Sequence, residues 1–333
     1  MVLDGIVRPI MTQSKHPRNR RKSGPKADSA AADRNQPHRQ GESGDQKRQK
    51  TGGGSVPPRG KSARGGSARS TPGASSGLWL YGIHAVLAAL ANPKRRKEQL
   101  FVSREAAKRH GDDLERLLAL PGAPHVLQTG RDDFLSVLSE SAVHQGLALQ
   151  CGFLTQPHLE DLIAAPEDKT GAAGQSKAST DRRGETRPVV LVLDQVTDPQ
   201  NVGAILRSAA AFGARAVVTT GRNAAQESGV LVKTASGAFD HIPYIAVINL
   251  ARALESLKSA GYWSLGLAGE GERTLAEAKT DGPAALVLGA EGSGLRRLTR
   301  ETCDELVRLP THEPISSLNV SNAAAVALYE LLS

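Results

Sequence analysis

Near the carboxyl end of the chain, Ser316, Ser317, Asn319, Ser321 and Asn322 crowd into seven positions at the mouth of an apolar, alanine-rich segment that runs to Leu332. One helix needs one capping side chain for the free N–H groups of its first turn. Polar groups in this number need further partners, and a bound ligand is a good candidate. A second group lies at Leu193 to Ala214, LDQVTDPQNVGAILRSAAAFGA, where an apolar strand ending at Asp194 passes through a proline-containing loop into a helix starting near Asn201. There Asn201 would present its amide at the carboxyl edge of a sheet, where α/β proteins place ligands. Arg207 stands six residues on, about 240° around a straight helix. The two converge only if Asn201 precedes the first turn; otherwise they read as a cap and a solvated arginine. A third group is LVLGAEGSGL, in which Gly289, Gly292 and Gly294 suit a loop whose backbone approaches a ligand closely, although tight turns are the commoner reason for such glycines. Glu291 within it is a turn acid or a site acid. The order G-x-x-G-x-G is not the dinucleotide fingerprint, and the lack of G-K-[ST] excludes a P-loop.

The elements that must position these residues follow from periodicity. Ordered sequence begins near Gly77 with a short strand or turn and a helix whose apolar face carries Ile83, Val86, Leu87 and Leu90. Strand-like runs at QLFVS, HVLQTG and GLALQCGF alternate with helical patterns, one of them running from Arg104 to Leu120. This describes a small α/β domain over residues 77–154. Residues 155–187 turn rich in Gly, Ser, Ala and charged residues, as a flexible linker does. From residue 188 onward, PVVLVLD reads as a buried strand, and ARAVVTT, HIPYIAVI, GYWSLGLA, AALVLGA and ELVRLP repeat the pattern with helices between most of them. Such alternation predicts a doubly wound parallel α/β sheet over 188–333.

Charge is unevenly divided among these segments. Residues 1–76 hold 16 Lys and Arg against 5 Asp and Glu, so the net +8 of the 333-residue chain belongs to this segment and the remainder is mildly acidic. With few apolar residues it reads as a disordered basic tail, and as a sequence-neutral arm drawn to RNA phosphates or a solubilising extension. Cys151 and Cys303 lack metal-ligand spacing and read as reduced thiols of a cytoplasmic protein. No run reaches the roughly 18 apolar residues of a membrane span.

Taken in order, N-V-G-A-I-L-R-S-A, L-G-A-E-G-S-G-L and S-S-L-N-V-S-N-A resemble the three motifs of the SpoU (TrmH-like) branch of the SPOUT RNA methyltransferases. The opening YGIHAVLAAL resembles the start of the small substrate-binding domain of members that methylate a guanosine ribose in large-subunit rRNA. The resemblance covers about Gly77 to Ser333. It implies a C-terminal trefoil knot built from Leu286 to Leu332 and S-adenosylmethionine as cofactor, with contacts at Gly289, Leu309 and Leu318 and with Glu291 and Gly292 nearby. It implies ribose 2′-O-methylation, with Asn201, Arg207, Glu291, Ser317 and Asn319 as the catalytic set. The family has been viewed as using Arg207 as general base. A guanidinium normally stays protonated, so stabilising the developing alkoxide or holding phosphate is the easier role. A homodimer with its site at the interface, and RNA as partner, are implied as well. Gln200, where a His is common, and Glu313, where a Gly is common, depart from the pattern. Alternative readings are a tRNA ribose methyltransferase and a non-catalytic RNA-binding assembly factor; a dehydrogenase lacks its fingerprint.

Overall fold

The computed structural model describes residues 77–165, 188–278, 282–314 and 317–332. The basic segment 1–76, residues 166–187 of the expected linker, and Ser316 lie outside the described residues. The first domain runs β1 (Leu78–Tyr81), α1 (Ile83–Ala91), β2 (Lys97–Val102), α2 (Arg104–Arg109), α3 (Gly111–Leu118), β3 (His125–Gln128), α4 (Arg131–Val137) and β4 (Leu147–Cys151). Its sheet has the order β1-β4-β2-β3, with β4 antiparallel to both neighbours and β2 parallel to β3. The single helix expected from Arg104 to Leu120 is two. Ser103 caps α2, whose last turn carries Lys108 and Arg109, and the chain breaks at His110. Helix α3 then starts at Gly111 with Asp112 and Asp113 in its first turn. Bases ending one helix and acids opening the next favour a break, because each complements the dipole of its own helix end.

The segment expected as linker, 155–187, holds a helix, α5 (Leu159–Ala164), and that expectation is corrected for its first part. Leu159 and Leu162 are buried among Val190, Ala216 and Leu254. Arg215 Nη2 donates to the carbonyls of Leu162 and Ala165, both at 2.6 Å. A leucine pair on one helical face was enough to draw the segment onto the next domain, despite its polar composition.

The second domain comprises β5 (Val189–Asp194), α6 (Pro199–Phe212), β6 (Ala216–Thr220), α7 (Gly229–Thr234), β7 (Tyr244–Val247), α8 (Leu250–Ser259), β8 (Trp263–Leu267), β9 (Arg273–Thr274), β10 (Ala284–Gly289), α9 (Arg297–Thr302), β11 (Glu305–Arg308) and α10 (Val320–Leu332). Its seven strands are all parallel, in the order β7-β6-β5-β10-β8-β11-β9. The continuous apolar run of β5 is buried on both faces, as a central parallel strand must be. Val189, Leu191 and Leu193 pack in one cluster with Ile205 of α6 and Leu328 of α10. Val190 and Val192 pack in another with Leu254 and Leu257 of α8. Strand period and helix period thus give a sheet covered on two sides, the doubly wound α/β architecture. Gly203 lies where α6 crosses α7, and a Cβ there would sit 2.7 Å from the Leu231 carbonyl oxygen.

The core of the first domain is continuous with the α6 and α7 side of the second. At their junction Arg95, with a fully buried side chain, donates from Nε to Asp240 at 2.8 Å and from Nη1 to Glu227 at 2.6 Å. Asn92 adds a bond to Asp240 at 3.0 Å. Both cysteines are free thiols.

Candidate catalytic and cofactor site

Three distant segments meet at the carboxyl edge of the seven-stranded sheet. Helix α6 begins earlier than its polarity suggested. Asp198 caps it and Pro199 is its first residue, so Asn201 falls inside the first turn. The 240° separation from Arg207 therefore stands. The Asn201 amide donates to Glu291 Oε1 at 2.9 Å, whereas Arg207 is exposed and makes no hydrogen bond or ion pair to a described residue.

Glu291 is the hub of the meeting. Its Oε1 also accepts from Asn319 Nδ2 at 2.6 Å and from the backbone of Val320 at 3.4 Å. Asn319 Nδ2 lies 3.0 Å from Asn201 Oδ1 as well. The other end of the Asn319 amide caps α10, with Oδ1 accepting from Ser321 N at 2.9 Å and Asn322 N at 3.4 Å. One side chain thus serves the helix with its oxygen and the site with its nitrogen, so not all of the local serines and asparagines are caps. Three donors thus converge on the single oxygen Oε1.

Beside this cluster lies a cavity of about 420 Å³, a size typical of small-molecule sites. Its walls include Gly289, Glu291, Gly292, Leu309, Ser317 and Leu318. Every residue expected to touch the cofactor therefore borders one space, as does Ser317, while Asn201 and Asn319 adjoin it through Glu291. Arg207 is not among the lining residues. At Gly289 an added Cβ would fall 2.2 Å from the Gly294 backbone, so this wall admits only glycine. Gly292 and Gly294 hold φ values of 82° and 66°, the left-handed region that favours glycine. An apolar lining from Leu267, Leu309, Leu318 and Val320 beside exposed backbone of the glycine loop fits a flat heterocycle with polar edges.

Sequence reasoning missed one wall, Leu267 to Glu270, and the ion pair between Glu270 and Arg300 at it. The glycines at 269 and 271 were the available signal. Gly271 packs its Cα face against the backbone of Val307, where a Cβ would come within 2.7 Å.

The family described as the SpoU rRNA Methylase family matches residues 188–329, and a domain described as RNA 2′-O ribose methyltransferase substrate binding matches residues 79–157. Among curated relatives, the 23S rRNA (guanosine-2′-O-)-methyltransferase RlmB of Yersinia pestis is 42% identical over 254 residues, covering 76% of this chain and 96% of that protein. The protein of the same name from Escherichia coli K12 is 40% identical over 258 residues, covering 75% and 96%. Among solved structures, the SpoU methyltransferase AviRb from Streptomyces viridochromogenes in complex with AdoMet superposes with a TM-score of 0.61 at 22% identity, covering 78% of this chain and 90% of that one. At that identity the likeness speaks for the fold.

Proposed function

The chain belongs to the SpoU rRNA methylase family, and we propose that it methylates the ribose 2′-hydroxyl of a guanosine in 23S rRNA, using S-adenosylmethionine. The observation that carries this reading is the meeting of Asn201, Glu291 and Asn319, one from each motif, against a glycine-walled cavity. Bound in that cavity, S-adenosylmethionine supplies a methyl group on a sulfonium. The backbone around Gly289, Gly292, Leu309 and Leu318 would hold it, with the absence of a side chain at Gly289 letting the 289–295 loop fold tightly on itself as the cavity wall. Glu291 aligns the amides of Asn201 and Asn319, so that a ribose placed there meets preorganised polar groups rather than water. Ser317, which lines the cavity, orients the hydroxyl in this reading. Arg207 offers a guanidinium to the developing alkoxide, and the hydroxyl proton passes to solvent.

The active unit is a homodimer. Val326 and Tyr329 on α10 are about half exposed, and Phe212 of α6 meets the Tyr329 ring edge-on, leaving an apolar surface suited to an isologous contact. Arg207, outside the lining of its own cavity, is free to serve a ribose held at that interface. Residues 286–332 form the knot, in keeping with β10 pairing centrally, β11 lying outside β8, and α10 returning to α6. The first domain grips the RNA, the basic segment 1–76 adds sequence-neutral attraction, and the setting is the cytoplasm, where rRNA is made and modified in bacteria.

Mapping of 2′-O-methyl groups on rRNA and tRNA from cells with and without the gene tests the reading. Loss of one 23S guanosine methyl supports it; loss of a tRNA methyl, or of none, overturns the substrate. Purified Arg207→Ala is expected to lose methyl transfer while binding S-adenosylmethionine about as well as the parent. A matching loss of cofactor affinity would make Arg207 a support of the pocket instead.

A further inference from the structure

A second cavity, of about 670 Å³, opens at the same carboxyl edge of the sheet, lined by Gln195, Thr220, Arg222, Ile248, Arg296 and Leu298 among others. We propose that it is an RNA subsite, taking a phosphodiester and the adjoining base of a nucleotide near the target ribose. The proposal rests on the reading of the chain as an RNA methyltransferase and assigns a place for the strand outside the reacting centre.

Charge is the first argument. Asp194 is fully buried, and its two oxygens are engaged by Arg296, Oδ2 by the backbone N–H at 2.9 Å and Oδ1 by Nε at 2.6 Å. That pairing fixes the Arg296 guanidinium and leaves its terminal nitrogens without a partner among the described residues. The Arg222 guanidinium likewise has no described partner. Two arginines therefore border one cavity whose lining residues include no acid. A planar guanidinium fork matches a phosphate better than it matches water.

The rim is the second argument. Ile248 is fully exposed and Leu298 is 54% exposed, although both are large and apolar. Apolar side chains standing beside paired cations suit a nucleotide, which brings a flat base along with its phosphate.

Backbone conformation is the third. Gln195 in the cavity wall and Asn223 next to Arg222 both hold φ at 63°, outside the usual range for residues with a side chain. Such conformations gather where function requires a particular loop shape.

Position ties this cavity to the reaction. The loop from Gly289 to Leu295 lines the cofactor cavity and Arg296, the next residue, lines this one. Strands β10 and β6 are separated by β5, which puts their ends roughly 10 Å apart. A strand of RNA crossing that edge can touch both.

The test uses the full chain and a fluorescent 23S rRNA transcript, with affinity measured across a salt series. Arg222→Ala is expected to weaken binding about tenfold and to lower the slope of log affinity against log salt by about one. Arg222→Lys should restore the slope more than the affinity, since it keeps the charge and loses the fork. S-adenosylmethionine affinity, followed by calorimetry, should match the parent in both variants and reports that they are folded. Unchanged RNA affinity and slope in Arg222→Ala overturn the subsite. So does Arg222-dependent binding of guanosine monophosphate with RNA binding unaltered, which would mark a mononucleotide site. If the parent chain binds transcript and cofactor yet methylates nothing, the functional reading fails, whereas the subsite stands or falls with the Arg222 variants.

Discussion

Asn319 shows how one amide can hold both a helix and a site. Its oxygen caps α10 and its nitrogen bridges Asn201 and Glu291. Asn319→Asp keeps the capping oxygen but sets a second carboxylate against Glu291. Methyl transfer is expected to fall at least about tenfold, while the melting temperature drops less than in Asn319→Ala, which loses a cap worth about 1 kcal/mol. Equal melting temperatures for the two variants would remove the cap from the account. Asp304 illustrates a structural carboxylate. Burial pushes its carboxyl up, but the hydroxyl and backbone N–H of Ser264, at 2.6 and 2.9 Å, and Lys258 outweigh that and hold it below its ordinary value. A carboxylate depressed by folding contributes stability that is present above its unfolded pKa and lost as pH falls through the folded one. Thermal melts below about pH 4 are therefore expected to fall less steeply for Asp304→Asn than for the parent.

At the scale of elements, α6 is the pivot of the catalytic domain. It carries Asn201 in its first turn, packs against α10, and crosses α7 at Gly203. A Cβ at position 203 would also meet Thr234 Cβ at 2.7 Å, so the two helices must separate to admit it. Gly203→Ala is expected to cost about 1–3 kcal/mol, the usual range for overpacking, read by urea denaturation. It should also lower methyl transfer, because displacing α6 draws Asn201 away from Glu291. A variant as stable as the parent would mean that the crossing has slack.

Across the whole molecule, the two domains are held by a buried charge cluster rather than by apolar contact alone. Arg95 and Asp240 have fully buried side chains, and Glu227 is nearly so. Removing one partner of a buried pair strands the other, at about 3–5 kcal/mol. Arg95→Met is expected to lose stability in that range, and Arg95→Met with Asp240→Asn to regain part of it, measured by denaturant unfolding. Spin labels at Glu140→Cys and Glu255→Cys, both at exposed positions on different domains, should give a broader distance distribution in Arg95→Met. An unchanged distribution would assign the docking to the continuous apolar core instead.

Local chemistry alone determined a good deal about this chain. The runs VVLVL and AALVL, within the strands ending at Asp194 and Gly289, are apolar at every position, which fits a strand covered on both faces, and the parallel α/β architecture follows. The glycines of the 289–294 loop announced close backbone approach, and the order of three motifs pointed to the family. Tertiary structure decided what depends on partners far along the chain. It joined Asn201 to Glu291 across 90 residues, and to Asn319 across 118, and it left Arg207 outside that group. It made a helix of Leu159–Ala164, whose two buried leucines stand at the start of a longer stretch rich in polar and small residues, and it buried Arg95, which in sequence is one of several bases after a helix. Propensity and periodicity are properties of neighbouring residues, whereas hydrogen-bond partners, burial and cavity walls are set by contacts that exist only once the chain has packed.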